Sequence, residues 1–122
     1  MSMKDEPVLR LRVKLSPDFA MGPGKADILD GIARTGSISA AGRALGMSYR
    51  RAWSLVEAMN AAFAAPVVET SRGGAEGGGA RLSETGEAVL ALYRRMQEEA
   101  VAATVESRAE MAAMLGDVSG ET

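Results

Sequence analysis

The fold class this sequence predicts is α+β, mainly α, and three observations predict it. Near the N-terminus a short segment alternates apolar and cationic residues with period 2. Further along, several stretches carry apolar residues at helical spacing and are punctuated by glycine or proline. Between two of them, five glycines fall within the nine residues Ser71 to Gly79, flanked by two short β-prone runs. At 122 residues the chain has the length of one domain with a single core, and it is read as one domain over 1–122.

The alternation runs from Val8 to Leu15. Leu9, Leu11, Val13 and Leu15 face one way and Arg10, Arg12 and Lys14 the other, the pattern of a half-buried strand. Ser16-Pro17 and Gly22-Pro23-Gly24 then mark a loop. A first helix is expected from about Lys25 to Thr35, with Asp27 and Asp30 near its positive end, Ile28, Leu29 and Ile32 as its apolar stripe, and Gly36 as its stop. A short second helix follows, with Ser39 as N-cap, Ala40, Ala41 and Ala44 as strong formers, and Leu45-Gly46 at its end. Ser48 is the expected cap of a third helix from Tyr49 to about Phe63, with Ala52, Leu55, Val56, Met59 and Phe63 facing the core and Pro66 barring continuation. Pro66 to Thr70 and Ala80 to Ser83 read as paired strands around the glycine-rich tip. Ser83 then caps a long last helix, over about 84–115, whose first residue is Glu84.

Composition excludes several function classes. There is no cysteine and no histidine, so disulfides, thiolate metal sites and the usual general base are absent. Carboxylate neighbours such as Glu98 and Glu99 read as a solvated helix face. The glycine cluster lacks the Lys-Ser/Thr that follows a phosphate-binding loop. The chain is therefore read as a non-enzyme without cofactor or metal. No apolar run is long enough to span a bilayer, and Met1 to Pro7 has no signal-peptide character, so a cytoplasmic location with no membrane partner is expected.

The net charge of −2 hides a segregation. From Gly31 to Val56 there is no acid, yet Arg34, Arg43, Arg50 and Arg51 are present. From Glu84 onward there are eight acids against three arginines. Segregated charge, more than its sum, governs phosphate binding. Within the acid-free stretch, a short helix, a Leu45-Gly46-Met47 turn and a helix opening Ser48-Tyr49-Arg50-Arg51 occur in order. That is the helix-turn-helix arrangement, in which the second helix brings a polar, cationic N-terminal end to the major groove. The glycine-rich hairpin directly after it reads as a wing. The expected architecture is thus a winged helix-turn-helix with an N-terminal strand: helix-turn-helix at about 37–63, wing at about 67–83 and a long C-terminal dimerisation helix.

Residues Thr35 to Tyr93 resemble the DNA-binding domain of the ModE family of molybdate-responsive regulators, itself close to the LysR-type winged helix. The runs that carry the resemblance are Gly36-Ser37-Ile38-Ser39, Gly46-Met47-Ser48-Tyr49-Arg50-Arg51-Ala52-Trp53, Glu57-Ala58-Met59-Asn60, Gly73 to Ala80, and Leu82-Ser83 with Gly86. The resemblance implies a homodimer joined through the first and last helices and the N-terminal strand, each recognition helix reading half of an inverted repeat. It also implies a link to molybdate or related anion metabolism. The family carries C-terminal molybdate-binding domains; these residues do not include them, and no molybdate site is expected here.

The DNA-facing set is Ser37, Ser39, Arg43, Ser48, Tyr49, Arg50, Arg51, Ser54, Arg72, Gly73, Gly74 and Arg81. Arginine bonds guanine bidentately or clamps phosphate, hydroxyls go mainly to phosphates, and the wing glycines let backbone amides approach DNA closely. The bland readings stand beside it: Arg43, Arg50 and Arg51 as a solvated face, Ser37 and Ser39 as caps, the glycines as a linker. Trp53 is read either as packing between helix and wing base or as stacking on a base. For self-association the set is Leu9, Leu11, Val89, Leu92, Met96, Ala100 and Ala103, since a helix of such length exceeds what a small domain covers. The partners expected are double-stranded DNA, a second copy, and a separate oxyanion-binding protein. The alternative function is a winged-helix module that binds another regulator, which the acidic last helix favours.

Overall fold

Capping serines and glycines place half of the helix ends in the computed structural model, which describes residues 8–71 and 79–116. The order is β1 (Val13–Ser16), β2 (Phe19–Met21), α1 (Pro23–Thr35), α2 (Ile38–Ala44), α3 (Tyr49–Ala62), β3 (Val68–Ser71), β4 (Gly79–Leu82), α4 (Glu84–Ala103) and α5 (Val105–Ala112). Both sheets are two-stranded and antiparallel, β1 with β2 and β3 with β4. This is a mainly helical, α+β winged helix-turn-helix fold.

The N-terminal hairpin differs from expectation in two ways. Its first strand covers only Val13–Ser16, and Phe19–Met21, expected as loop, is its partner. Lys14 pairs with Ala20 and Ser16 with Phe19, so Leu15 is an unpaired extra residue. The bulge turns Leu15 outward, leaving it 51% exposed, while Leu9, Leu11 and Val13 keep the expected half-buried row. That row lies along α4. Tyr93 Oη donates to the Leu11 carbonyl at 2.6 Å and Gln97 Nε2 to that of Leu9 at 3.0 Å. Burial pushes the Tyr93 phenol pKa up, the Asp27 carboxylate adds to this, and Arg10 opposes it.

Helix α1 starts two residues before the expected point, because Pro23 occupies a first-turn position where its missing N–H costs nothing. Its first turn therefore holds no acid. Asp27 and Asp30 lie further in, and Asp30 instead meets Arg34 Nε at 3.0 Å and Arg94 NH2 at 3.1 Å, tying α1 to α4. Gly36 ends the helix in the left-handed conformation.

Helix α2 is capped by Ser37, not Ser39: the Ser37 hydroxyl accepts from Ala40 N at 3.0 Å. With this start Ile38 and Ala41 reach the core, which a cap at Ser39 would deny to Ile38. Helix α3 is capped by Ser48 as expected, its hydroxyl accepting from Arg51 N at 3.0 Å. Ala52, Leu55, Val56 and Met59 are buried; Phe63 ends the helix, half-buried, its ring edge-on to Phe19 with centroids 5.4 Å apart.

At α4 the Ser83 hydroxyl accepts from Gly86 N at 3.0 Å, with Glu84 and Glu87 in the first turn. Gly86 is required by close approach: a Cβ there would overlap the Val67 carbonyl. The long last helix is broken at Thr104. Its hydroxyl donates to the Ala100 carbonyl at 2.7 Å, and Arg108 reaches back to Thr104 Oγ1 and the Val101 carbonyl, each at 2.9 Å. Side chains thus take over acceptors that a continuous helix would use, and α5 begins anew.

Candidate nucleic-acid interface

The turn between α2 and α3 needs one residue at positive φ, and Gly46 provides it at φ 72°. Met47 N returns to the Gly42 carbonyl at 2.8 Å and closes the turn. Ser48 then starts α3 with its first turn pointing outward. Ser48, Tyr49, Arg50, Arg51 and Ser54 are all exposed, Tyr49 to 60%. No carboxylate among the described residues pairs with Arg43, Arg50 or Arg51. Arginines on an acid-free surface keep their charge available for phosphate or a guanine edge.

Other expected members are already engaged. The Ser37 hydroxyl is committed to its cap, and the Ser48 hydroxyl likewise. Ser39, half-buried within α2, accepts from Arg43 NH1 at 3.4 Å. Arg81 stands opposite Glu69 in the β3–β4 register, and its Nε lies 3.2 Å from Glu69 Oε1. The same groove is lined by Glu84, Glu87 and Arg94 of α4, so Arg81 is not an isolated cation. Arg72, Gly73 and Gly74 lie outside the described residues, as do Gly77 and Gly78.

The base of the hairpin is held by a residue not anticipated in this role. Asn60 Oδ1 accepts from Val67 N at 2.8 Å and Val68 N at 3.1 Å, and its Nδ2 donates to the Val68 carbonyl at 3.2 Å. Three bonds from one amide fasten the last turn of α3 to the start of β3. On the other side, Ala80 N donates to the Gly36 carbonyl at 2.9 Å. Helix α3 and the hairpin are therefore fastened together. The signal in sequence was a lone amide on the flank of an amphipathic helix just before a proline-initiated strand. Trp53 lies two turns before Asn60 on the same flank, half-buried against the core. Tyr49 meets it edge-on at 6.2 Å between ring centroids.

The expected self-association residues divide. Leu9 and Leu11 lie half-buried under α4, and Val89 packs on the core. Met96 and Ala100 are half-buried, while Leu92, at 50%, and Ala103 are exposed. Among the described residues no cluster of acidic side chains is arranged to hold a metal ion, and no helix is long and apolar enough to cross a membrane.

The model of the bacterial regulatory helix-turn-helix proteins of the lysR family matches residues 25–87. The molybdenum-pterin-binding protein MopB of Rhodobacter capsulatus is 52% identical over 73 residues, 60% of this chain and 27% of that protein. The molybdenum transport protein ModE of Azotobacter vinelandii is 33% identical over 94 residues, 74% of this chain and 35% of that protein. The chain thus spans about a third of the length of the curated relatives it matches. Among solved structures, the CbnR_DBD–DNA complex matches with a TM-score of 0.58 and 25% identity, over 72% of this chain and 95% of the other.

Proposed function

This chain belongs to the lysR family of bacterial regulatory helix-turn-helix proteins, and from that premise we propose that it is a sequence-specific double-stranded DNA-binding transcription regulator acting as a homodimer. The observation that carries the reading is the exposed first turn of α3, where Tyr49, Arg50 and Arg51 project free of carboxylates among the described residues. The structural match to the CbnR_DBD–DNA complex supports it. In this reading α3 enters the major groove, with Ser48, Tyr49, Arg50, Arg51 and Ser54 toward bases and phosphates. The hairpin, including Arg72, Gly73 and Gly74, meets flanking backbone. Ser37, Ser39 and Arg43 sit where the first helix of the pair crosses the phosphates. Arg81 contributes there only if Glu69 releases it. A homodimer through α4 and the N-terminal segment places two α3 helices on an inverted repeat. The relatives' names, molybdenum-pterin-binding and molybdenum transport proteins, support a role in molybdate or related anion metabolism.

The test is titration of the strongest genomic site at two salt concentrations with wild type and Arg51→Ala. If Arg51 reads a base, the variant loses about 1–3 kcal/mol and specificity relaxes at one position. If it holds a phosphate, the loss is uniform across sequences and the salt slope falls by about 1. No change in either quantity removes Arg51 from the interface.

A second reading, a module that modulates another regulator through α4 and α5, is favoured by one observation. Leu92, Val105 and Met111 are exposed on the acidic helices α4 and α5, and Met114 and Leu115 are exposed just beyond them. Weak binding without sequence preference by the purified chain would select this reading over the first.

A further inference from the structure

We propose that Trp53 is a DNA-backbone contact, its indole N–H donating to a phosphate in the crease between α3 and the β3–β4 hairpin. The proposal rests on the DNA-binding reading above.

An indole N–H is a donor with no acceptor capacity, so burying it without a partner costs free energy. Trp53 Nε1 is sealed from solvent and has no acceptor, the only buried side-chain nitrogen or oxygen in that state among the described residues. Native folds satisfy nearly all such groups, and an exception calls for an acceptor from outside the chain, water or ligand. The position is specific. Asn60, two turns further along the same flank of α3, is bonded to Val67 and Val68 where the hairpin begins. The flank that carries Trp53 therefore faces the hairpin side of the helix. One turn toward the exposed end, Tyr49 sets its ring edge-on to the indole, 6.2 Å between centroids, and is itself 60% exposed. Exposed side chains change rotamer in picoseconds to nanoseconds. Tyr49 is thus a movable neighbour of the indole ring.

The ligand chemistry follows from docking geometry. When a helix occupies the major groove and a wing the adjacent minor groove, one sugar–phosphate strand separates the grooves and must pass over the crease between them. Its oxygens are acceptors of the kind an indole N–H lacks here. The contact is neutral on the protein side, so it releases no counterion and reads no base.

Trp53 is the only tryptophan, so the intrinsic fluorescence of the full chain reports this site alone. The experiment titrates wild type and Trp53→Phe with the strongest genomic site and with an unrelated duplex, at two salt concentrations, following tryptophan emission for wild type and anisotropy of labelled DNA for both. The expected result is a saturable emission change on DNA binding. Trp53→Phe should lose about tenfold in affinity, by the same factor on both duplexes and with the salt slope unchanged. A protein carrying the benzothiophene analogue of tryptophan at position 53, which replaces N–H by sulfur at nearly constant shape, should show the same loss. This controls for any folding defect of the phenylalanine variant. Wild-type affinity in the analogue protein, a loss confined to the specific site, or unchanged emission at saturation would overturn the proposal. Wild type that binds neither duplex overturns the DNA-binding reading and this proposal with it, an outcome visible before any variant is made.

Discussion

The helix-turn-helix with its hairpin and the C-terminal pair α4–α5 solve burial in opposite ways. Helices α1, α2 and α3 bury Ala26, Ile28, Leu29, Ile32, Ile38, Ala41, Ala52, Val56 and Met59 in one core, to which the hairpin adds Val67, Val68 and Ala80. Over its whole length α4 buries only Gly86 and Tyr93, and α5 buries nothing. The first region completes its own hydrophobic surface within the chain. The second keeps large apolar side chains in water, the condition under which association gains free energy. The exposed first turn of α3 thus sits on the closely packed region, and the exposed large apolar side chains of α4 and α5 lie outside it.

The two regions meet at Gly86, which packs against the Val67 backbone. Gly86→Ala should destabilise the fold by about 3 kcal/mol, because the new methyl meets the Val67 backbone, which cannot move without disturbing the hairpin. Chemical denaturation measures this, and a loss below about 0.5 kcal/mol would mean that α4 is free to shift away from the hairpin. Asn60→Ala should cost about 2 kcal/mol, since it leaves the Val67 and Val68 amides without their acceptor. It should also loosen the hairpin selectively, so hydrogen exchange should speed at Val67 and Val68 before it changes in α1. The smallest effect on folding is expected from Leu92→Glu, a substitution at a half-exposed site in the second region. Folding free energy should move by no more than about 0.5 kcal/mol. Sedimentation should nevertheless show weakened self-association, and an unchanged assembly would remove Leu92 from the interface.

Much of the local geometry around the candidate site was legible because it is built from local signals. Ser48 and Ser83 cap the helices that follow them through contacts spanning three residues, and Gly36 and Gly46 sit at the positive φ that their turns demand. Such effects depend on a few neighbouring residues, which is why the exposed Tyr49-Arg50-Arg51 turn could be read directly. Where two local signals competed, reading failed. Ser37 and Ser39 are equally good caps, and the burial of Ile38 separates them. Thr104 carried a break that the apolar spacing of the last helix hid.

By itself the sequence determined the fold class, the helix-turn-helix, the hairpin that follows it and the cationic leading turn of α3. Each follows from periodicity and capping, interactions between residues a few positions apart. Only the tertiary structure decided what depends on residues far apart in the chain. It paired Phe19–Met21 with β1 and turned Leu15 outward through the bulge. It set Arg81 against Glu69 and bolted Asn60 to the hairpin. It also laid the N-terminal segment under Tyr93 and Gln97, more than eighty residues away. The physical reason is common to all of these. A side chain's partner is fixed by which backbone the packed core brings alongside it, and no local pattern records that.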